Sequence, residues 1–317
     1  MLTPASGPAV AAAFGLPGDA MMTGPVARGE QGQVWRLETG PADSRAAYAV
    51  KDPFVETTPD DALADAAYQD LVRAAGVPMP AVLRTPDAQV LVEVDGSLVR
   101  LYDWVDVLPR DRRLDPAEVG ALLAQIHRVV VPVDQPADDW YAAPVGAARW
   151  SELVGTLADA GAPFADDLAA LVPRLLEVEG IVEPYRATQR CHLDLWEDNL
   201  LPGADGGLVV LDWENSGPGS PSQELGSALF VFGLEDPDRI RALHAAYVAA
   251  GGPGRVTTPG DLTMLVAQLG HITEIACRRW LDAPDEAERR HVEAWAREGI
   301  DEPVTLATVE RIVDAVS

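Results

Sequence analysis

The chain has 317 residues, of which 48% are hydrophobic, and its formal net charge at pH 7 is −26. This length and apolar content can supply a buried core to each of two lobes, whereas the negative charge excludes a basic surface of the kind that binds nucleic-acid phosphates. No apolar run approaches the ~20 residues that cross a membrane, and two cysteines, Cys191 and Cys277, fit a reducing cytoplasm.

The first predicted element is a glycine-containing turn that leads into an apolar strand. Gly29 and Gly32 lie in Arg-Gly-Glu-Gln-Gly, and residues 33–37 follow as the strand. Because glycine has no Cβ, the backbone amides of such a turn can approach phosphate oxygens. The segment is therefore similar to a loop that covers a nucleotide.

Lys51 is the only lysine of the chain and ends the strand-like run Tyr-Ala-Val-Lys. Every other basic side chain that carries a permanent charge is arginine. A coding bias against lysine can explain a single survivor. A compact ammonium, however, fits close to phosphate oxygens and a carboxylate, where a planar guanidinium does not. Lys51 alone therefore leaves both explanations open, a chance survivor and a phosphate-binding lysine.

A helix is predicted to begin at Pro59, since proline and the two acids that follow it favour a first helical turn. Gly76 and Pro78 end the pattern. The predicted apolar face consists of Leu63, Ala67, Tyr68, Leu71 and Val72.

Residues 89–94 and 97–102 predict a β-hairpin across Asp95-Gly96. Asp115 then caps a predicted helix whose apolar positions recur with helical spacing as far as Ile126. His127 ends that stripe and is interpreted as a structural residue. Further helices are predicted at about residues 236–250, 260–281 and 284–298.

Two carboxylates and an amide are grouped between these regions. Asp194 is followed five residues later by Asn199, and a Gly-rich turn leads into an aliphatic run that ends at Asp212. A hairpin across this turn returns Asp212 to the neighbourhood of Asn199. Their hard oxygen ligands suit Mg²⁺ carrying substrate phosphates, which leaves Asp194 to meet an incoming hydroxyl.

The strand lysine, loop acid, loop asparagine and metal-binding aspartate are together the residues of kinase-type phosphoryl transfer. They are Lys51, Asp194, Asn199 and Asp212. The order His-x-Asp-x-x-x-x-Asn, then aliphatics and Asp, resembles the aminoglycoside phosphotransferase family, a branch of the protein-kinase-like fold that includes choline, fructosamine and macrolide kinases. The resemblance covers residues 24–224 and continues weakly through the C-terminal helices.

The resemblance implies an α+β, bilobal protein-kinase-like fold with ATP and Mg²⁺ as cofactors. Residues 1–102 would form the nucleotide-binding lobe, a small antiparallel β-sheet with one main helix. Residues 103–107 would form a hinge whose backbone binds adenine, at Trp104 and Val105. Residues 108–317 would form the larger, mostly helical lobe for catalysis and acceptor binding.

The family usually pairs the strand lysine with a glutamate on the main helix. That helix has no glutamate here, so the resemblance assigns the pairing to Asp65, with Asp61 as the second choice. His192 is expected to brace the catalytic loop, and Glu224 resembles the acid that steadies this loop from the following helix. Glu214 can bind or order the metal.

The expected acceptor is a hydroxyl of a small molecule that is aminoglycoside-like or amino-sugar-like and cationic, in keeping with the net charge. Glu274 is the candidate acceptor-binding acid, because in the family the C-terminal helices wall the acceptor site. Choline, fructosamine, macrolide and nucleoside acceptors stay open, as do GTP as the donor and the oligomeric state.

Three other functions are weighed against this one. A protein kinase needs a long activation segment, and only eleven residues separate Asp212 from Glu224. A non-catalytic kinase-like binding protein is expected to lose one of the four phosphoryl-transfer residues, all of which are present. A metallohydrolase that uses His192 and Asp194 leaves Lys51 and Asn199 unexplained.

Overall fold

The computed structural model describes residues 2–29, 32–41, 43–54 and 57–317. Its contacts divide the chain into two compact units, Met1–Asp111 with Trp196–Ser216, and Arg112–Leu195 with Gly217–Ser317. The sequence predicted two lobes that are each continuous in sequence and are joined by one hinge at residues 103–107. The contacts instead return a later segment to the first unit, and that segment carries Asn199 and Asp212.

The N-terminal elements of the first unit are α1 (Gly7–Ala13), β1 (Ala20–Arg28), β2 (Gly32–Thr39), β3 (Ala46–Pro53), α2 (Pro59–Ala74), β4 (Val82–Leu83), β5 (Val92–Val94) and β6 (Ser97–Asp103). The second unit begins with α3 (Pro116–His127), α4 (Asp139–Ala142), α5 (Gly146–Asp159), α6 (Ala165–Glu179) and β7 (Gln189–Cys191). The returning segment contains β8 (Leu200–Pro202) and β9 (Leu208–Val210). The second unit ends with β10 (Gly217–Gly219), α7 (Pro221–Gly233), α8 (Pro237–Ala249), α9 (Thr263–Asp282), α10 (Glu286–Asp301) and α11 (Leu306–Val316).

The first unit is built on an antiparallel sheet with the strand order β1-β2-β3-β6-β4, and β5 pairs with β6. Alternate residues of β2 are buried, as expected for a strand with one face on a core. Leu37, Val50 and Leu101 from three neighbouring strands are fully buried and pack with Val10 of α1. This core fixes the register of β3 and β6, the strands that carry Lys51 and Arg100.

Helix α2 begins where the sequence predicts, because the Thr58 hydroxyl accepts a hydrogen bond from the Asp61 amide at 3.1 Å. The predicted apolar face is wrong in part. Tyr68 and Val72 are buried, but Leu63 and Leu71 are 37% and 52% exposed. The buried face instead contains Ala62, Asp65, Ala66, Tyr68, Gln69 and Val72.

The predicted hairpin across Asp95-Gly96 is confirmed. Val94 pairs with Ser97, so the turn has two residues, and their φ angles are 50° and 76°. Two positive φ angles are typical of the turn that matches the twist of a two-residue hairpin.

In the second unit, α3 begins as predicted, with the Asp115 carboxylate accepting a hydrogen bond from the Ala117 amide at 2.9 Å. Helix α9 packs against α5, α6 and α10. The core at this contact includes Trp150, Leu153, Leu157, Phe164, Leu168, Cys277 and Ala296.

The C-terminal helices α8, α9 and α10 lie where helices were predicted, within a few residues at each end. Helix α11 was not predicted. Its N-cap is Thr305, whose hydroxyl accepts a hydrogen bond from the Thr308 amide at 3.2 Å. Among the described residues, no helix combines the length and the apolarity needed to cross a lipid bilayer.

Candidate active site

Lys51 lies between two carboxylates of the first unit. Its Nζ is 2.6 Å from Asp212 Oδ1 and 2.5 Å from Glu214 Oε2. Burial lowers the pKa of Lys51, but the charges of Glu214 and Asp212 outweigh it, and the pKa lies above its ordinary value. The lysine is therefore a fixed, protonated cation.

A short hairpin places Asp212 beside Asn199, as the sequence predicts. Strand β9 pairs with β8, and the Leu211 amide donates to the Asn199 carbonyl oxygen at 2.8 Å. Asp212 itself has left-handed backbone angles, with φ 55° and ψ 67°, which are uncommon outside glycine. Such backbone is concentrated at functional sites, where the surrounding structure holds it.

Asn199 and Asp212 fit a divalent cation by their chemistry. One offers a neutral amide oxygen and the other a carboxylate, which are the hard donors that Mg²⁺ takes alongside substrate phosphates. One Asp212 oxygen accepts from Lys51, and a third of the Asp212 side chain is exposed. The pair can therefore hold the metal that the sequence predicts.

Asp65 does not take the predicted role, because the structure gives it a different cation. The Asp65 carboxylate lies 3.2 Å from Arg100 Nη2, and the Ser216 hydroxyl donates to it at 3.4 Å. Lys51 instead takes Glu214, which comes from the segment after Asp212 rather than from helix α2. An aspartate is one methylene shorter than the glutamate usual at such a helix, and here an arginine on β6 lies next to it.

The glycine turn connects β1 and β2. The Gly29 amide donates to the Gly32 carbonyl at 2.9 Å, and a Cβ on Gly29 would meet nothing within 4 Å. A Cβ on Gly32 would lie 2.9 Å from the Asp52 carbonyl oxygen, so the close approach of β3 requires glycine there. Glu30 and Gln31 of the predicted nucleotide loop lie outside the described residues.

The predicted hinge continues directly from β6. The Trp104 amide donates to the Ala47 carbonyl oxygen at 3.2 Å, and the Trp104 ring lies under the Arg36 guanidinium, 4.5 Å away. Val105 is partly buried beside it. The segment is thus tied to the sheet of the first unit at its start.

Asp194 follows a tightly held loop of the second unit. Leu193 has a positive φ of 66°, and its amide donates to Glu224 Oε1 at 2.5 Å. The Asp194 amide donates to His192 Nδ1 at 3.3 Å, and His192 is fully buried. His192 is therefore placed to brace the backbone of the loop.

Glu224 joins this loop to α3 and α8. Its Oε2 lies 2.7 Å from His127 Nε2, and His127 Nδ1 lies 2.8 Å from the Tyr247 hydroxyl. Burial raises the pKa of Glu224, but the hydrogen bond and charge of His127 outweigh it, so the pKa lies below its ordinary value. The same burial, with Glu224 next to it, raises the pKa of Cys191 well above its usual range, which does not suit a thiol nucleophile.

Glu274 is not available as an acceptor-binding acid in this structure. Its side chain is buried, and its carboxylate pairs with Arg149 and with Arg278, the latter at 3.0 Å. His271 Nδ1 lies 3.7 Å away, and the His271 ring stacks on Trp140. A helical acid that looks solvated in the sequence is therefore an internal ion-pair partner.

The sequence interpretation missed Arg100, Tyr102 and Tyr141. Tyr102 donates to Glu214 Oε1 at 2.8 Å, and Tyr141 packs on the cluster that contains Leu193. Arg100 and Tyr102 are two apart on a strand and share a face, a spacing that the alternation of β6 could have indicated.

A family model decides which class of protein this arrangement belongs to. The APH model, which describes the phosphotransferase enzyme family, matches residues 23–258. The chain belongs to this family. The predicted family and the prediction of a phosphotransferase are thereby confirmed, and residues 51, 194, 199 and 212 of this phosphotransferase all fall within the match.

Solved structures of other phosphotransferases and kinases have the same fold. Spectinomycin phosphotransferase APH(9)-Ia in complex with ADP and spectinomycin has a TM-score of 0.70 at 12% identity, covering 99% of this phosphotransferase and 98% of that chain. The aminoglycoside phosphotransferase from Alicyclobacillus acidocaldarius has a TM-score of 0.60 at 15% identity, with 92% and 90% covered. A microcompartment-associated aminopropanol kinase has a TM-score of 0.57 at 18% identity, with 98% of each chain covered. The predicted α+β, protein-kinase-like fold is confirmed.

A search of curated protein sequences gave no significant match to this phosphotransferase. Its family therefore rests on the family model, and the solved structures establish its fold.

Proposed function

We propose that the protein transfers the γ-phosphate of Mg-ATP to a hydroxyl group of a small molecule, an aminoglycoside or a similar amino-sugar. The observation that carries the proposal is the ion pair of Lys51 with Asp212, together with the backbone hydrogen bond that places Asp212 beside Asn199. These are the phosphate-binding and metal-binding residues of kinase-type transfer. A nucleotide donor is also supported by the ADP and AMP complexes of related folds.

The first unit supplies the nucleotide contacts. Lys51 binds phosphate oxygens as a protonated cation, and the amides near Gly29 and Gly32 approach the phosphates. The backbone at Trp104 and Val105 binds the adenine edge. Asn199 and Asp212 would hold Mg²⁺, which would neutralise negative charge on the phosphates.

Asp194 of the second unit acts on the acceptor. Its carboxylate accepts the proton of the acceptor hydroxyl while the oxygen of that hydroxyl forms a bond to the γ-phosphorus. The bond from this phosphorus to the bridging oxygen breaks, and ADP leaves with the electron pair. A positioned base of this kind contributes about 10²–10⁴-fold to the rate. His192 and Glu224 support Asp194 through the loop backbone.

A cationic acceptor is supported by the charges around Tyr141. Burial, followed by the negative charges of Asp194 and Asp138, raises the pKa of Tyr141, so the phenol stays neutral among acids. A ring beside carboxylates is a favourable site for an ammonium group. The net charge of −26 also raises the rate at which a polycation meets the protein.

A small amino alcohol is the second candidate acceptor. The aminopropanol kinase shares the fold over 98% of both chains, and choline kinase LicA from Streptococcus pneumoniae does so over 93% of this chain, with a TM-score of 0.51. Amino alcohols and aminoglycosides share an ammonium group near a hydroxyl, so the same charges would favour both.

The test is ADP release from Mg-ATP in the presence of single acceptors: aminoglycosides, amino-sugars, choline, amino alcohols, macrolides and nucleosides. Asp194→Asn should lower acceptor-dependent release by about 10²-fold or more while ADP affinity changes by only a few-fold. Asp198→Asn makes the same exchange at an exposed position that pairs with Arg110, and it should keep nearly full activity.

Full transfer by Asp194→Asn would remove Asp194 from the mechanism. Release with nucleosides alone would contradict the cationic acceptor. Failure of the wild-type protein to bind ADP in calorimetry would contradict the nucleotide-dependent reaction altogether.

A further inference from the structure

Two cations face each other on neighbouring strands of the first unit. Lys51 on β3 and Arg100 on β6 are direct partners in the antiparallel register. Side chains in such a pair lie about 4.5–5.5 Å apart at Cβ, and like charges there are destabilising. The side chains are only 15% and 4% exposed, so water screens this repulsion poorly. Nearby anions must offset it.

Glu214 is the anion that serves both cations. Its Oε2 lies 2.5 Å from Lys51 Nζ, and its Oε1 lies 3.8 Å from Arg100 Nε. The Tyr102 hydroxyl donates to the same Oε1 at 2.8 Å. Both oxygens of Glu214 are therefore engaged, and the carboxylate has one defined orientation relative to Lys51.

Arg100 also contacts a second carboxylate. Its Nη2 lies 3.2 Å from Asp65 Oδ2 on helix α2, and both side chains are nearly fully buried. A guanidinium can serve two anions through different nitrogens of one rigid fork, which an ammonium cannot do with the same geometry. We name the series Asp65, Arg100, Glu214 and Lys51 the charge ladder.

We infer that Arg100 is a positioning residue for phosphate binding, which acts by holding Glu214 against Lys51 and by connecting this carboxylate to Asp65 of helix α2. The inference rests on the proposed function, because it assigns Lys51 to the nucleotide phosphates. Asp212, the other partner of Lys51, is proposed to hold the metal. Glu214 is then the carboxylate that keeps the ammonium in place, and the charge ladder connects helix α2 to Lys51 in the absence of a helical glutamate.

Removing Arg100 alone takes the cationic partner away from the buried Asp65 carboxylate, and the loss of one partner of a buried ion pair strongly destabilises a protein. The informative variant is therefore the double exchange Arg100→Gln with Asp65→Asn, which replaces the buried ion pair by two neutral amides. Arg84→Gln with Asp70→Asn is the matched control. It removes a more exposed ion pair that Asp70 of helix α2 makes with Arg84, with 2.5 Å between Arg84 Nη2 and Asp70 Oδ2. Asp65→Asn and Arg100→Gln are measured alone as well.

The readouts are the melting temperature and the dissociation constant of ADP with Mg²⁺, measured by calorimetry. Arg100→Gln should lower the melting temperature and weaken ADP binding by about tenfold, the lower end of what outer partners of a binding group contribute. The double variant should regain most of the melting temperature but keep the weakened ADP binding. Asp65→Asn should weaken ADP binding less than Arg100→Gln, because Arg100 still holds Glu214. The control pair should leave ADP affinity unchanged.

Recovery of wild-type ADP affinity in the double variant, together with its stability, would reduce Arg100 to a folding role and overturn the inference. An unchanged ADP affinity in Arg100→Gln would also overturn the inference. As long as the wild-type protein binds ADP, neither of these results contradicts the proposed function. If the wild-type protein bound no ADP, the proposed function and this inference would fail together.

Discussion

At the scale of single residues, Lys51 shows why one amine is kept in a chain whose other permanent cations are arginines. Its single nitrogen donates to two carboxylate oxygens, at 2.5 and 2.6 Å. A compact ammonium can direct its three protons to separate acceptors, whereas a guanidinium spreads its donors across a plane. The space beside Asp212 and Glu214 therefore suits lysine on geometric grounds, independently of the total charge.

Lys51→Arg should lower kcat/KM for Mg-ATP by about 10²-fold, since displacing a positioned group by an ångström has effects of that size. Steady-state kinetics with a saturating acceptor would measure it, with the circular dichroism spectrum as a check on folding. Arg241→Lys, at an exposed pair with Asp238, is the matched exchange and should have no effect. Nearly wild-type kinetics for Lys51→Arg would show that any cation suffices at this position.

The proximity of Asn199 and Asp212 was predictable from the sequence because the two residues are joined by one short segment. Asp212 returns to Asn199 through one short hairpin, which a Gly-rich turn between two aliphatic runs indicates directly. The partner of Asp65 was not predictable in this way, since Arg100 is 35 residues distant and the contact depends on how α2 packs on the sheet. The roles of these residues in catalysis stay predictions.

At the scale of elements, α2 shows how a buried ion pair changes the face that a helix buries. Leu63 and Leu71 define the more hydrophobic stripe, yet they are exposed, and the buried face carries Asp65 and Gln69. Gln69 donates to the Pro80 carbonyl oxygen, and Asp65 pairs with Arg100. Polar side chains can be buried when partners satisfy them, and those partners lie on other elements that helical periodicity does not reveal.

Helices α3 and α8 approach each other closely at a glycine. A Cβ on Gly120 would lie 2.2 Å from the Leu243 carbonyl oxygen and 3.1 Å from the Tyr247 amide nitrogen. These are backbone atoms, so they can yield only if the helices move apart. Tyr247 also carries the hydroxyl next to His127, so the crossing supports the group that holds the catalytic loop.

Gly120→Ala should therefore lower the free energy of unfolding by about 1–3 kcal/mol, as overpacking does, although alanine favours helix by about 1 kcal/mol over glycine. Gly155→Ala in α5 isolates the helix preference, because a Cβ there meets nothing within 4 Å. That variant should gain roughly 0.5–1 kcal/mol. Urea unfolding of both proteins measures the difference, and a stabilised Gly120→Ala would contradict the close helix contact.

At the scale of the whole molecule, buried carboxylates connect parts of the chain that are far apart in sequence. Glu224 contacts His127, 97 residues away, and Glu274 contacts Arg149, 125 residues away. Each carboxylate is 1% exposed. An acidic composition is usually interpreted as a solvated surface, and for most of these acids that interpretation holds. The family resemblance singles out Glu224, but nothing in the sequence marks Glu274 as buried, because its burial depends on packing against distant helices and on cations such as Arg149.

These internal carboxylates predict how stability depends on pH, with Glu224 as the clearest case. His127 holds the pKa of Glu224 below its ordinary value in the folded protein. A lowered folded pKa means that the ionised form contributes stability at pH above the unfolded value of about 4.5, and that this contribution is lost as the pH falls through the folded pKa. Glu224→Gln removes the charge but keeps an acceptor for the Leu193 amide.

The variant should be less stable than the wild-type protein by about 2–3 kcal/mol near neutral pH, the size of a hydrogen bond to a charged group. The difference in unfolding free energy should shrink as the pH is lowered below about 4.5, because protonation of the wild-type carboxyl makes it neutral, like the amide of the variant. Urea unfolding at a series of pH values measures both quantities, and Glu118→Gln, at an exposed position of α3, is the control for losing a carboxylate. A difference that stayed constant as the pH fell would mean that the contact to His127 does not depend on the charge of Glu224. The catalytic loop would then be held by the shape of the side chain and its hydrogen bond to Leu193 alone.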